Sequence, residues 1–462
     1  MAHHKPSPAP SLDEEKKVSL DAAPIETLTS GNIEKSWFRS VLFQIIVVGM
    51  TSFLSPGFWN AMNGLGAAGG QNPTLANGAN SLVFALMVVS CIFSSSIVDR
   101  IGYRWALVFG SALYPLYGGG QVYNLNTGHS WLVWVGSIGC GASAGLFWGV
   151  EAAIVMGYPS AETRGRYLAL WTAFGQLGSV VGGSISLALN AGDGKAGSIT
   201  NTTYYVFIAL QCIAPVVALF LSEPARVLRS DGTPVQMESH IGIRRELKEM
   251  WKVIVRPEIL LLVPIVLRTE WPGSFAGTFE AVYLSVRGRA LASLLTAILD
   301  VIVATLLGFY LDAQVLSKKT RARGSFLFIQ AVFGGAWIWF TILQVRYLKN
   351  PPLLDWSDKG FGAPFGAFLI YQLCYITLRN FLYWIVIQLA RSPADLLRLS
   401  AFLRGLESVG AAVGFGISAS TVPYTVPLGI NFGLWALGLI AAWFVVKEVR
   451  EGGRYEGKEG EK

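Results

Sequence analysis

Twelve long apolar stretches recur along this chain, and the Lys and Arg residues between them gather in alternate loops. Crossing about 30 Å of hydrocarbon takes about 20 predominantly apolar residues, and every backbone polar group inside must be satisfied within the segment, which an α-helix achieves. The pattern predicts spanning helices at about 38–62, 78–98, 104–124, 130–157, 166–190, 203–222, 258–285, 290–312, 325–346, 363–389, 396–421 and 426–446. Only 14% of the 462 residues are charged, against about 25% in soluble domains. The reading is an all-α integral membrane protein with twelve transmembrane helices.

Orientation follows from basic residues in short loops, which stay on the cytosolic side. One side holds Arg39, Arg100, Arg104, Arg164, Arg166, the cluster from Arg244 to Arg256, the run from Lys318 to Arg323, Arg391, Arg398 and Lys447. The other holds Lys195, Arg287, Arg289, Lys349 and Lys359. Both termini are therefore expected in the cytosol, with Arg287 and Arg289 running against the rule. Plasma and internal membranes fit equally well. The net charge of +7 sits where anionic lipid headgroups meet the protein, so the bilayer is the expected partner and nucleic acid is not.

The longest polar segment, Glu223 to Glu258, divides the chain into two sets of six helices. The expected organisation is a polar cytosolic tail at 1–36, a first bundle at 37–222, a linker at 223–257, a second bundle at 258–447 and a tail at 448–462. Within the linker, Ile243 to Val255 has the pattern of an amphipathic helix on the membrane surface. No signal peptide is visible. His3 and His4 stand in the first tail, and Cys91, Cys140, Cys212 and Cys374 fall inside helices without metal or disulfide spacing, so no metal and no cofactor is expected. Asn201 and Thr203 form a glycosylation sequon too close to the sixth helix for ready access.

The halves echo each other. After the second helix come Asp99, Arg100, Gly102 and Arg104; after the eighth, Asp312 precedes Lys318, Lys319, Arg321 and Arg323. An acid at a helix end, a tight Gly turn and an Arg make a breakable latch at the cytosolic face. A second echo joins Tyr158, Pro159, Glu162, Arg164 and Arg166 to Pro393, Asp395 and Arg398.

The loop of Asp99, Arg100, Gly102 and Arg104 resembles the signature of the major facilitator superfamily, with Ser95 where a Gly is usual. Two further stretches, Pro56 to Gln71 and Gly145 to Pro159 continuing through Gly165 to Tyr167, resemble the Unc-ninety-three-like, or ion channel regulatory protein, family in its fungal-type branch. The likeness is good over about 37–222 and looser beyond. It implies two pseudo-symmetric six-helix bundles with the first, fourth, seventh and tenth helices around a central cavity, and a role either as a transporter or as an accessory of channels and receptors.

Ionisable groups inside a bilayer are costly and usually face the bundle interior. The apolar stretches carry Glu151, Arg268, Glu270, Asp300, Arg379 with Asn380, and Arg404 with Glu407. Arg404 and Glu407 are three apart on one helical face and read as a structural pair. Arg268 and Glu270 point to different faces, and Arg379 is a partner in reach of Glu270 or Glu151. Four acids against three Arg leave one carboxylate over, Glu151 or Asp300, of the kind a proton-coupled carrier needs. Pro56-Gly57 and Trp271-Pro272-Gly273 interrupt the first and seventh helices at matching places, where freed backbone can face a ligand. Asn60 and Asn63 beside the first break, and Gln176 in the fifth helix, complete the candidate path. Gly64 to Gly70 reads as a flexible hinge, and Gly175, Gly178, Gly182 and Gly183 as a seam for close helix approach. No buried His, no nucleophile beside a base and no metal set suggests an enzyme. The expected function is a secondary transporter of a small solute or ion, proton coupling included; the alternative is a non-transporting regulator or chaperone of a channel or receptor.

Overall fold

The computed structural model describes residues 36–70, 72–160, 163–192, 195, 197–229, 231–235, 237, 243–313 and 315–449. The tails, with His3 and His4, and Gln71, Glu162 and Arg450, lie outside the described residues, as do parts of the linker. Among the described residues the fold is helical, and β-structure is limited to three isolated bridges.

Among the described residues, ten stretches are long and apolar enough to cross a membrane. One of them, Pro73–Thr127, has 55 residues, which is about 80 Å of helix at 1.5 Å per residue. It cannot be a single crossing. The chain reverses at Gly102, where φ is +78° and ψ 165°, a conformation that only glycine adopts cheaply. A Cβ there would also stand 2.8 Å from the Glu223 carboxylate. The remaining crossing, Pro393–Ser418, is less apolar because it carries Arg404 and Glu407. The twelve crossings are α1 (Val41–Asn63), α2 (73–101), α3 (103–127), α4 (Trp131–Gly157), α5 (Arg164–Asn190), α6 (Asn201–Ala218), α7 (Pro257–Tyr283), α8 (Val286–Asp312), α9 (Lys318–Lys349), α10 (Gly362–Leu389), α11 (Pro393–Ser418) and α12 (Thr425–Val446).

Two apolar cores form, one from Val41 to Val235 and one from Val253 to Val449, with Val286, Ala290 and Ala411 of the second half packed into the first. The halves meet chiefly through α2 against α11 and α5 against α8. These contacts are mirror counterparts, since α2 and α5 occupy in the first half the places of α8 and α11 in the second. The glycine seam makes the approach close: a Cβ on Gly183 would lie 2.8 Å from Leu294 Cα, and one on Gly178 2.9 Å from Gly57 Cα in α1.

The two breaks are milder than the sequence suggests. In α1, Pro56 sits inside a single wide turn over Phe53–Gly57, a π-type adjustment that absorbs the missing N–H without ending the helix. The Ser55 carbonyl there accepts from Gln211 Nε2 at 3.3 Å. In α7, Trp271 keeps helical angles, φ −55° and ψ −45°, and its carbonyl accepts from Ser274 Oγ at 3.2 Å. Both segments thus continue as helix through the proline. Gly64 to Gly70 is likewise no open hinge but a buried cap, with left-handed backbone at Gly66, Ala67, Ala68 and Gly69. Tyr204 Oη donates to Ala68 O at 2.9 Å and Ile199 N to Gly69 O at 2.9 Å.

The face bearing the cap is further fastened by Asp355 in the α9–α10 loop. Its carboxylate accepts from Ser285 Oγ at 2.7 Å, from Ser357 Oγ at 2.7 Å and from both Nε and a terminal nitrogen of Arg287, which also lies over the Trp356 ring. The Arg287 guanidinium holds the Asp355 carboxyl well below its ordinary value of 3.8. A depressed carboxyl contributes stability above its unfolded value and loses it only as pH falls through the folded one. Asp355→Asn is therefore expected to lower the melting temperature by the same amount at pH 5 and pH 7.5, measured by thermal denaturation in detergent; a smaller effect at pH 5 would show that the clamp titrates there.

Candidate functional site

Between the two bundles lies a cavity of about 290 Å³, at the small end of the range for ligand sites. Pro56, Asn60, Asn63 and Gly64 of α1, Trp148 of α4, Gln176 of α5, Glu270 and Gly273 of α7, Asp300 of α8, Arg379 of α10 and Arg404 of α11 are among its walls. Sequence reasoning had singled out most of these polar groups, and the fold brings them to one chamber.

Its charges are organised around one ring. Arg404 approaches Glu407 at 3.3 Å and Glu270 at 3.4 Å; Arg379 approaches the same two carboxylates at 3.9 and 4.0 Å. Tyr375 donates to Glu270 at 2.7 Å and Tyr383 to Glu407 at 3.4 Å. The expected Arg404–Glu407 pair exists as one edge of this ring, and Arg379 reaches Glu270 across helices. Arg404 also stacks over Trp148, 5.1 Å from the ring, which ties the ring of the second half to α4 of the first. In so apolar a setting each charge costs several kcal/mol unless answered; here two cations answer two anions.

Four predicted residues stand off the cavity wall. Glu151 is fully buried behind Trp148 and Trp171 and is bonded to Ser52 Oγ, which Trp171 Nε1 also reaches at 3.0 Å. Its second oxygen has no hydrogen-bond partner among the described residues. Arg268 turns away into the second core, its guanidinium 4.0 Å above Phe333. Glu407 is wholly buried, and Asn380 sits next to Arg379 with its amide nitrogen buried. Asp300 does face the cavity, and its Oδ1 has no partner among the described residues.

Two charged groups were missed. Glu280, 1% exposed, lines the closed end, and Arg289, also 1% exposed, is its charged neighbour. Arg289 donates to Gly70 O at 3.3 Å and to Gly197 O, so it joins α8 to two loops of the first half. The signal was present in the chain: Arg289 is one of the two residues that run against the loop-charge rule, and Glu280 lies ten residues beyond Glu270 in one apolar stretch.

Between described residues, the hydrogen bonds that tie the halves together all lie toward this same end: Asn77 to Thr278 at 2.9 Å, Ser81 to Ala412 O at 2.7 Å, Ser293 to Ala61 O at 3.4 Å, Val286 N to Lys195 O at 3.1 Å, and Arg289. At the opposite end, where residues 36 and 449 lie, the latch bonds between described residues stay within each half. The amides of Tyr103 and Arg104 donate to Glu223 at 3.4 and 3.2 Å, and Arg104 Nε to Leu221 O at 2.5 Å, while Asp99 and Arg100 are exposed. In the second half Arg256 clasps Asp395 through two bonds of 2.7 and 2.8 Å, and Arg391 reaches Glu258 at 2.9 Å. Asp312 ends α8, and its side chain lies outside the described residues.

A family model described as ion channel regulatory protein UNC-93 matches residues 77–347, more than half of the chain. The chain belongs to the UNC-93 family. It is 37% identical to the notoamide biosynthesis cluster protein O′ of Aspergillus versicolor, over 90% of this chain and 91% of that one. It is 26% identical to an UNC93-like protein of Schizosaccharomyces pombe, over 91% and 86%. Among solved structures it is similar to a nucleoside transporter, NupG, with TM-score 0.62 and 11% identity over 88% of this chain and 100% of that one. A second is the Escherichia coli xylose transporter XylE in a partially occluded, inward-open conformation, with TM-score 0.59 and 14% identity over 89% and 100%. At such identities the likeness is one of fold, and the fold of this UNC-93 family member is that of the major facilitator transporters.

Because Glu407 answers both guanidinium groups, Glu407→Gln leaves two cations facing one carboxylate. The expected cost is about 3 kcal/mol, read as a lower melting temperature. Glu249→Gln, which loosens an ion pair to the exposed Lys252, should leave it unchanged. Equal melting temperatures for all three proteins would show that the ring is not structural.

Proposed function

We propose that this UNC-93 family member is a secondary transporter of a small solute, working by alternating access around the cavity beside the Glu270–Arg404–Glu407–Arg379 ring. The observation that carries the reading is the one-sided closure: a charged cavity whose walls, among the described residues, are hydrogen-bonded across the halves toward one end. A static scaffold gains nothing from bearing such charges between two separable bodies. On the loop-charge rule the bonded end is non-cytosolic, the conformation is inward-facing, and both termini are cytosolic. The expected division at 37–222 and 258–447 supplies the two rocking bodies. A relative named for a biosynthesis cluster supports an organic solute over an inorganic ion.

Glu151 is the group the geometry favours for coupling to protons. It is buried off the cavity wall and holds Ser52 of α1, which also accepts from Trp171 of α5, itself packed on the wall residue Trp148 of α4, so a proton there alters how α1, α4 and α5 hold together. Glu151→Gln is expected to keep solute counterflow in proteoliposomes but to abolish accumulation driven by a pH gradient; accumulation at the wild-type level would exclude the role.

The accessory reading keeps one support, the family's description as an ion channel regulatory protein. A single cysteine decides between the two. Gly273 lines the cavity, and a side chain there meets nothing within 4 Å. Its neighbour Ser274 is unsuitable, being buried against Ser418. With Cys91, Cys140, Cys212 and Cys374 replaced, Gly273→Cys is expected to react with impermeant thiol reagent from either face of sealed vesicles, in separate fractions of the molecules. Reaction from one face alone under every ionic condition favours a regulator that does not transport.

A further inference from the structure

The charges around the cavity do not all cancel against one another. Arg379 and Arg404 are answered by Glu270 and Glu407 at 3.3–4.0 Å. Arg289 stands by Glu280 at the closed end. Arg268 is turned away onto Phe333. Asp300 also faces the cavity, and its charged neighbour among the described residues, Arg379, is already engaged by two carboxylates. Its Oδ1 is shielded from solvent and takes no hydrogen bond from any described residue. Glu280 of α7, beside the Gly66 cap and in the same cavity lining as Ser293 and Thr296, also keeps one oxygen without a hydrogen-bond partner among the described residues, and its side chain is almost wholly buried.

The rest of the wall is aromatic or amide. Trp59, Phe84, Phe368 and Tyr371 offer ring surface, and Asn60 and Gln372 offer amides. Trp148 is already covered by Arg404. Ring faces attract cations that have given up part of their hydration. A bare metal ion instead requires a compact shell of oxygens at about 2–2.6 Å, and no metal-holding group of three or more His, Cys, Asp or Glu residues exists among the described residues.

We propose that the cavity takes a small organic cation, an ammonium on an aromatic or apolar body, with Asp300 as its principal counter-ion and Glu280 as a second carboxylate toward the closed end. The assignment rests on the transport reading for its purpose but not for its test. The ammonium lies against Asp300, the body lies along Tyr371, Phe368 and Trp59, and the Arg–Glu ring stays closed beneath it. An anionic solute of the same shape meets Asp300 unscreened and gains no free guanidinium in exchange. Selectivity therefore comes as much from repulsion as from attraction.

The test is equilibrium binding to the full-length protein in lipid nanodiscs, by calorimetry, with a panel of aromatic primary, tertiary and quaternary ammonium compounds set against carboxylates and neutral alcohols of equal size. At least one ammonium probe is expected to bind about tenfold or more tightly than its anionic and neutral counterparts, as one opposed charge pair supplies. Asp300→Asn should remove that preference, Asp300→Glu should retain most of it, and Glu280→Gln should weaken it less than Asp300→Asn. Monodisperse elution of each variant shows that it is folded. Should Asp300→Asn fail to fold, retention of the preference in Asp300→Glu together with its weakening in Glu280→Gln carries the assignment. Equal or tighter binding of the anionic probes, absence of binding by every ammonium compound, or an undiminished preference in Asp300→Asn overturns it. These outcomes are separate from the thiol-labelling result: a cavity that opens to both faces yet prefers anions keeps the transport reading and loses this one, while a cation site that opens to one face only does the reverse.

Discussion

A charge inside a bilayer has neither water nor mobile counter-ions to answer it, so each one must find its partner within the protein or project into a cavity. The Arg–Glu ring meets that constraint most fully, whereas the buried Arg268 guanidinium bonds to no described residue and rests on the Phe333 ring. Glu270, Arg404, Glu407 and Arg379 come from α7, α10 and α11, and their closed ring holds together three helices that neighbouring apolar side chains alone would leave free to slide. Its link to the first half is a soft one, the face of Trp148 against Arg404. A stacked cation tolerates rotation better than a bidentate ion pair does, and this is the kind of contact that two moving bodies can keep.

The asymmetry of the two ends has a corresponding physical basis. At the closed end the connections between halves, among the described residues, are backbone carbonyls, hydroxyls and amides, with Arg289 a charged tie among them. Each is worth little net, about 1 kcal/mol, because its groups have alternative partners. At the other end the strong charge-assisted bonds, Arg256 with Asp395 and the backbone around Gly102 with Glu223, are spent within each half. Rigid halves joined by weak, replaceable bonds favour a two-state device over a single fixed assembly. The glycine seam has the same effect, since small residues allow α5 to press on both α1 and α8 without interlocking side chains.

Much of this was legible in the chain. The number and type of crossings, the Gly102 turn, the Arg404–Glu407 contact, the reach of Arg379 to Glu270 and the gathering of Asn60, Asn63, Gln176 and Asp300 around one chamber all followed from apolar length, helical spacing and the cost of buried charge. Other features were not legible. Arg268 looked like a member of the cavity because it is two residues from Glu270, yet a two-residue step turns a side chain through about 200° on a helix of 3.6 residues per turn, and only packing told which of the two faced inward. The Pro56 and Pro272 breaks looked open because a sequence cannot show that a π-type turn absorbs the first and that helical angles continue through Trp271 at the second.

The sequence by itself determined that this is a twelve-helix membrane protein of two related halves, because apolar length and loop charge are local properties that no later packing can reverse. The tertiary structure alone decided which end is shut, which carboxylates are answered and which face the cavity, because those depend on helix rotation and on contacts between residues hundreds of positions apart.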